Sequence, residues 1–433
     1  MSAIAPEISP AQVNAKLVSL ISSGAVCLGV FLSGFVVREP APYELYMCGL
    51  IAVWAFAGLR ISRSVMPLLI LLVLFNIGGM ISMTQMSDLM DTPLYIGVSL
   101  FLAFTAVFFA AVTESNPGLY PLILRAYILS AVLTSTVGII GYFGLVPGTE
   151  MFTKYGRAAG AFQDPNVFGP FLTLPAIYLL HKVLTGNPAK MVAYAIPLLI
   201  ITAGIFFSYS RGAWGLFGAS AILLTGALFL QSDSGRFRLK LVVMSIAAMS
   251  LLVLAMLVVL QIPGVADMLS NRAQLVQDYD GARLGRFARY GIGFLMAMEH
   301  PLGIGPLVFG QLLGEDTHNI WLKAVLDYGW LGLACWAIMI GWTLAAGFPL
   351  LLRDRPWQPY VLCAYVVLIG HVALGTFIDT DHWRHFYMLL GLVWGGIALE
   401  ARHQRDIRLE AYRSQSPLRG SPSTRSGQRS PKG

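Results

Sequence analysis

An all-α fold that crosses a membrane about twelve times follows from three observations on the sequence. Of 433 residues, 56% are hydrophobic and only 12% are charged, roughly half the charged share of a soluble domain. Mean hydropathy is +0.69. Apolar runs near 20 residues, the length a helix needs to cross hydrocarbon, recur from end to end. The formal net charge of +7 sits largely in short connections and the tail. There it orients the chain in a membrane rather than marking a nucleic-acid surface.

Taken in order, the expected spans are about 15–36, 41–59, 66–82, 94–113, 120–144, 167–185, 192–207, 211–230, 239–260, 319–346, 357–378 and 383–400. The first lacks a small-residue cleavage site and is followed by further spans, so it reads as retained. With the N-terminus in the cytoplasm, the inside connections hold Arg60 and Arg63, Lys182 and Lys190, Arg236, Arg238 and Lys240, and Arg353 and Arg355. The outside connection at about 83–93 holds Asp88 and Asp91 and no base. This is the positive-inside pattern, and it puts both termini in the cytoplasm. Residues 1–413 read as one multi-pass domain, and 414–433, rich in Ser, Pro, Gly and Arg, as a disordered cytoplasmic tail suited to anionic lipid. Cys27, Cys48, Cys335 and Cys363 all fall in spans without CxxC or Cys/His spacing, so no disulfide framework or metal site is expected. No cofactor motif is present either, and no internal repeat suggests an inverted-repeat transporter.

Arginines on the outside break the charge pattern, and they mark the candidate sites. The one long loop, about 261–318, contains "GARLGRFARYGIGFLMAMEHPLGIG" (281–305), an amphipathic helix with Arg283, Arg286 and Arg289 along one side. These side chains suit lipid headgroups, or they form an anion clamp, since a guanidinium is a permanently charged planar fork. "FFSYSRGAWGLFG" (206–218) joins two spans by so short a turn that Arg211 must stand at the outer surface among small and hydroxylated residues. In "YGRAAGAFQDPNVFGP" (155–170), Asp164 is expected to cap a helix and Arg157 to contact a phosphate or sugar. "GEDTHNIWLKAVLDYGWLG" (314–332) sets Asp316, His318 and Asn319 at the mouth of a span. Asp316 or Thr317 serves as a cap there, but a cap does not explain the histidine. The helix dipole favours neutral imidazole, the form a general base needs, whereas Asp316 would raise its pKa. Last, "GTFIDTDHWRHFYMLLG" (375–391) crowds Asp379, Asp381, His382, Arg384 and His385 into the final outside turn. The DxD reads as chance and Arg384 as the functional candidate.

Together these stretches resemble the O-antigen ligase superfamily, the ligases and the O-antigen and exopolysaccharide polymerases of bacterial envelopes. The carrying motifs are His318-Asn319 followed by Gly329-Trp330-Leu331-Gly332, with "SRGAW" (210–214), "RFARY" (286–290), "HPLGIG" (300–305) and "RAAGAFQDPN" (157–166) in the family's order. The resemblance covers about 155–332. Tyr290 stands where tryptophan is expected, which leaves Arg289 beside Arg286 as a candidate clamp. The resemblance implies a membrane-embedded, metal-independent, inverting glycosyltransferase in the bacterial inner membrane with a periplasmic active site. Its donor would be a glycan on undecaprenyl pyrophosphate and its acceptor a glycan or glycolipid, with membrane lipid, a flippase and a chain-length regulator as partners and no nucleic acid. By motif position Arg211 and Arg286 become the pyrophosphate clamps and His318 the base, with Arg157, Arg289, Asp316, Asn319 and Arg384 as substrate contacts.

The stretches 157–166 and 379–386 look more like those of exopolysaccharide polymerases than like those of a ligase that hands the finished glycan to lipid A core. A transporter of lipid-linked glycans is the competing class. It should carry its charges at mid-membrane, whereas the expected spans here are nearly free of charge.

Overall fold

In the computed structural model, the described residues are 10–89, 91–273 and 285–415. A helix occupies each of the twelve expected spans, from Pro10–Leu32 to Arg384–Gln415. Among the described residues, nine helices are long and apolar enough to cross a membrane, and Pro42–Phe56 and Gln358–Leu374 are shorter apolar helices. The helix Gly235–Val259 buries only Leu241 and presents apolar side chains such as Met249 and Leu252 outward. In water such a surface would aggregate, and in lipid it is solvated. The chain is an all-α polytopic membrane protein.

Contacts between connections sort them into two ends. At one, Arg384 pairs with Glu39 and Glu44, Tyr95 donates to Asp381, and Gly305 N–H donates to Ser82 Oγ. At the other, Arg353 and Arg355 pair with Glu400, and Gln231 donates to the Leu351 carbonyl. The first set joins segments expected outside and the second set segments expected inside. The two-ended grouping is what alternate crossings require.

The loop at about 261–318 holds more structure than one amphipathic helix: Pro263–Ala273, Arg286–Glu299 and Val308–Leu313 are all helical. Arg283, expected on the basic stripe, and the tail beyond Gln415 lie outside the described residues.

The helix Ile320–Leu351 is interrupted at Gly329, where φ is 68° and ψ −176°. The Pro301–Ile304 segment fits against this break. Trp330 N–H donates to the Pro301 carbonyl at 3.0 Å, and Ile304 N–H to the Leu326 carbonyl at 2.8 Å. A Cβ on Gly329 would stand 2.8 Å from the Leu302 carbonyl, so only glycine satisfies both the φ and the approach. Gly303 (φ 89°) meets the same constraint from the loop side, where a Cβ would stand 2.7 Å from Leu326 O. The first glycine of the G-x-x-G thus ties the return of the long loop to the span that follows it.

Candidate active site

The helices Arg211–Gln231, Arg286–Glu299 and Ile320–Leu351 begin at the same end of the bundle as the Asp379–Arg384 turn. Asn319, not Asp316 or Thr317, caps the last of the three, its Oδ1 accepting from Trp321 N at 3.0 Å and Leu322 N at 3.2 Å. His318 immediately before it has φ 50°, a left-handed conformation that a branched or bulky residue adopts only when neighbours enforce it.

Asp379 and Tyr290 are those neighbours. Asp379 accepts the His318 N–H at 3.2 Å, the Asn319 N–H at 2.9 Å and the Thr317 hydroxyl at 3.2 Å. Its Oδ2 also lies 3.8 Å from His318 Nδ1. Tyr290 donates from its hydroxyl to the His318 carbonyl (3.0 Å) and the Thr376 carbonyl (3.3 Å). Arg286, one turn before Tyr290 on the same helix, is thereby held beside the histidine. The tyrosine at this position does structural work that its hydroxyl makes possible.

Electrostatics answer the conflict over His318. Burial, with the positive charges of Arg286 and Arg289, holds the imidazole below its ordinary pKa, while Asp316 and Glu315 oppose. The balance favours the neutral imidazole, the form that accepts a proton. Burial pushes the Asp379 carboxyl up to about 7, with Lys323 opposing.

Arg211 is the first residue of its helix, with Ser210 as cap accepting from Ala213 N at 3.3 Å. A Cβ on the adjacent Gly212 would meet Leu374, and the next residue, Gly375, accepts Ile320 N–H at 2.8 Å. This contact chain links the Arg211 turn to the His318 turn.

All five expected substrate contacts are engaged within the protein, Asn319 as the helix cap already described. Arg157 is 4% exposed and donates from Nε to the Ser208 carbonyl (2.7 Å) and from Nη2 to Asn166 (2.8 Å), tying its strand to the Arg211 turn. Asp164 is the helix cap expected, accepting from Asn166 N. Arg289 is 3% exposed and pairs with Glu315. Arg384 is held by Glu39 and Glu44, and Asp316 pairs with Lys323. Both carboxylates of the DxD are bonded within the fold: Asp379 clamps the His318 turn, and Asp381 takes Tyr95 and His382. His382 is engaged on both ring nitrogens, by Asp381 and the Tyr95 carbonyl, and His385 is buried.

Residues 196–337 match the O-antigen ligase family. The matched span contains Arg211, Arg286, Arg289, Asp316, His318, Asn319 and both glycines of the G-x-x-G, and it supports the superfamily resemblance that those motifs carry. Asp379 and Arg157 lie outside the O-antigen ligase match. No curated protein matches the chain.

Proposed function

We propose that this protein is a membrane glycosyltransferase of the O-antigen ligase and polymerase type. It moves a glycan from undecaprenyl pyrophosphate, on the periplasmic side of the inner membrane, to an acceptor hydroxyl. The observation that carries the reading is His318 at one end of an apolar bundle, its imidazole pKa held down by burial and by the charge of Arg286, with both residues inside the family match. The acceptor O–H gives its proton to His318 as its oxygen bonds to the anomeric carbon. The bond from that carbon to the pyrophosphate oxygen breaks, and the electron pair leaves with the lipid pyrophosphate. Arg211 and Arg286, each the first residue of a helix, take up the developing negative charge with the helix dipoles. Attack opposite the leaving group inverts the anomeric centre.

Arg157, Arg289, Asp316, Asn319 and Arg384 act in this scheme by positioning rather than by touching substrate, because each is bonded into the fold. Lys323 and Asp327 are two of the few charges within the expected spans. They are the fourth and eighth residues of a 32-residue helix, near the end that follows His318 and not at mid-span, which favours an enzyme over a transporter. Between the two enzyme readings, the 157–166 and 379–386 stretches favour a polymerase. Purified protein in vesicles with lipid-linked repeat units decides: a ladder of repeat lengths supports a polymerase, transfer only to an added lipid A core supports a ligase, and neither product overturns the assignment.

A further inference from the structure

Lys323 takes no part in the chemistry just described, yet its place in the fold is specific. Its side chain is 3% exposed. The ammonium pairs with Asp316 and, at 3.2 Å, with Asp327, itself 1% exposed. The Tyr95 ring lies 5.5 Å from Nζ, and the Tyr95 hydroxyl continues to Asp381 at 2.7 Å. Burying a lysine and its partner carboxylate is expensive, and a pair kept only for stability is replaceable by packed apolar side chains. Asp327 suffices as a partner for a buried lysine. The second contact, to Asp316, instead reaches back seven positions along the chain to a residue two before His318.

The His318 turn is thus gripped from two sides. Asp379 holds the backbone N–H groups of His318 and Asn319 from the turn at 375–383. Lys323 holds Asp316 from the span that the turn leads into. Between these grips His318 has its left-handed backbone, and relaxing either end re-aims the imidazole.

We propose that Lys323 is a positioning residue, which through Asp316 fixes the turn that carries His318, while Asp327 supplies the counter-charge that lets the lysine stand buried. The proposal rests on the reading of His318 as the acceptor's base. The full chain, reconstituted in vesicles with a lipid-linked glycan, tests it. Lys323→Met alone strands Asp327 without a partner and should insert poorly. The double variant Lys323→Met, Asp327→Leu removes both buried charges and should recover insertion. Its turnover should nonetheless stay lower by about 10–100-fold, the scale of a misplaced reacting group, with the KM for donor little changed. Asp316→Asn keeps the buried pair and should give the same split of kcat from KM, so it decides the matter if the double variant does not insert. Wild-type turnover in the inserted double variant, or in Asp316→Asn, overturns the proposal. A raised KM with kcat intact in Asp316→Asn also overturns it, making Asp316 a substrate contact. His318→Ala, run in parallel, separates the two levels. If it turns over normally, the base assignment fails. If it is inactive while the double variant is normal, only the role of Lys323 fails.

Discussion

Asp379 and His318 are 61 residues apart in sequence, and the carboxylate of the first accepts the backbone N–H of the second at 3.2 Å while its Oδ2 stands 3.8 Å from Nδ1. One side chain therefore fixes both the peptide that carries the histidine and the side of the ring turned away from Nε2. If Nδ1 carries its proton toward Asp379, Nε2 is the nitrogen left to accept from a hydroxyl.

Removing this grip should cost turnover rather than donor binding. Asp379→Ala should insert normally and transfer about 10²-fold slower, the usual consequence of displacing a reacting group by about 1 Å. Transfer kinetics and a separate donor-binding measurement check it. Weak donor binding with intact turnover would instead make Asp379 a substrate contact.

The pH profile carries a signed expectation. Only neutral His318 accepts a proton, so the rate falls as pH drops through its pKa, which lies below 6.5 because burial and Arg286 disfavour the imidazolium. Asp379 titrates near 7, and its protonation weakens the acceptor for two N–H groups. The acid side should therefore fall in two steps, as coupled groups do. Asp379→Asn should remove the upper step. Arg286→Gln takes away a positive charge and should move the lower step upward, measured on the residual activity.

Arg211→Lys and Arg286→Lys should each lose most activity although the charge is kept, because an ammonium cannot make a bidentate contact with phosphate. Assays of both variants decide whether fork geometry matters. Lysine working nearly as well at both positions would leave only general electrostatics.

Orientation is open to a reporter fusion. A fusion after Gly264 should report the periplasm and one after Glu400 the cytoplasm, as the charge pattern requires. A cytoplasmic signal at Gly264 would put the site on the wrong side for its donor.

The helices were legible because hydrocarbon demands long apolar runs, and the cap at Asp164 follows from a short polar side chain at a helix start. The site was legible where its residues are local, as in His318-Asn319 and the Arg286 stripe. What sequence hid is long-range. That Asp379 serves His318 and that Arg157 serves the Arg211 turn depend on how helices pack. A carboxylate in a DxD looks the same whether it binds a metal, a nucleotide or a backbone N–H. Lys323 was hidden for a related reason: within an apolar run it reads as tolerated, and only its two carboxylate partners reveal a purpose. Part of the signal was present in the spacing of Lys323 and Asp327, four positions apart on one helix face, whereas Asp316 precedes the helix cap and reaches Lys323 only through the fold of the turn.

The measurement that bears most directly on the account is His318→Ala in reconstituted vesicles, with donor binding and transfer followed separately. The variant should insert normally, bind the lipid-linked glycan as the wild type does, and transfer it about 10²–10⁴-fold slower, the usual contribution of a positioned base. The lower acid step of the pH profile should vanish with the rate. Near-normal transfer, or lost donor binding with unchanged turnover at saturation, would contradict the assignment of His318 as the base.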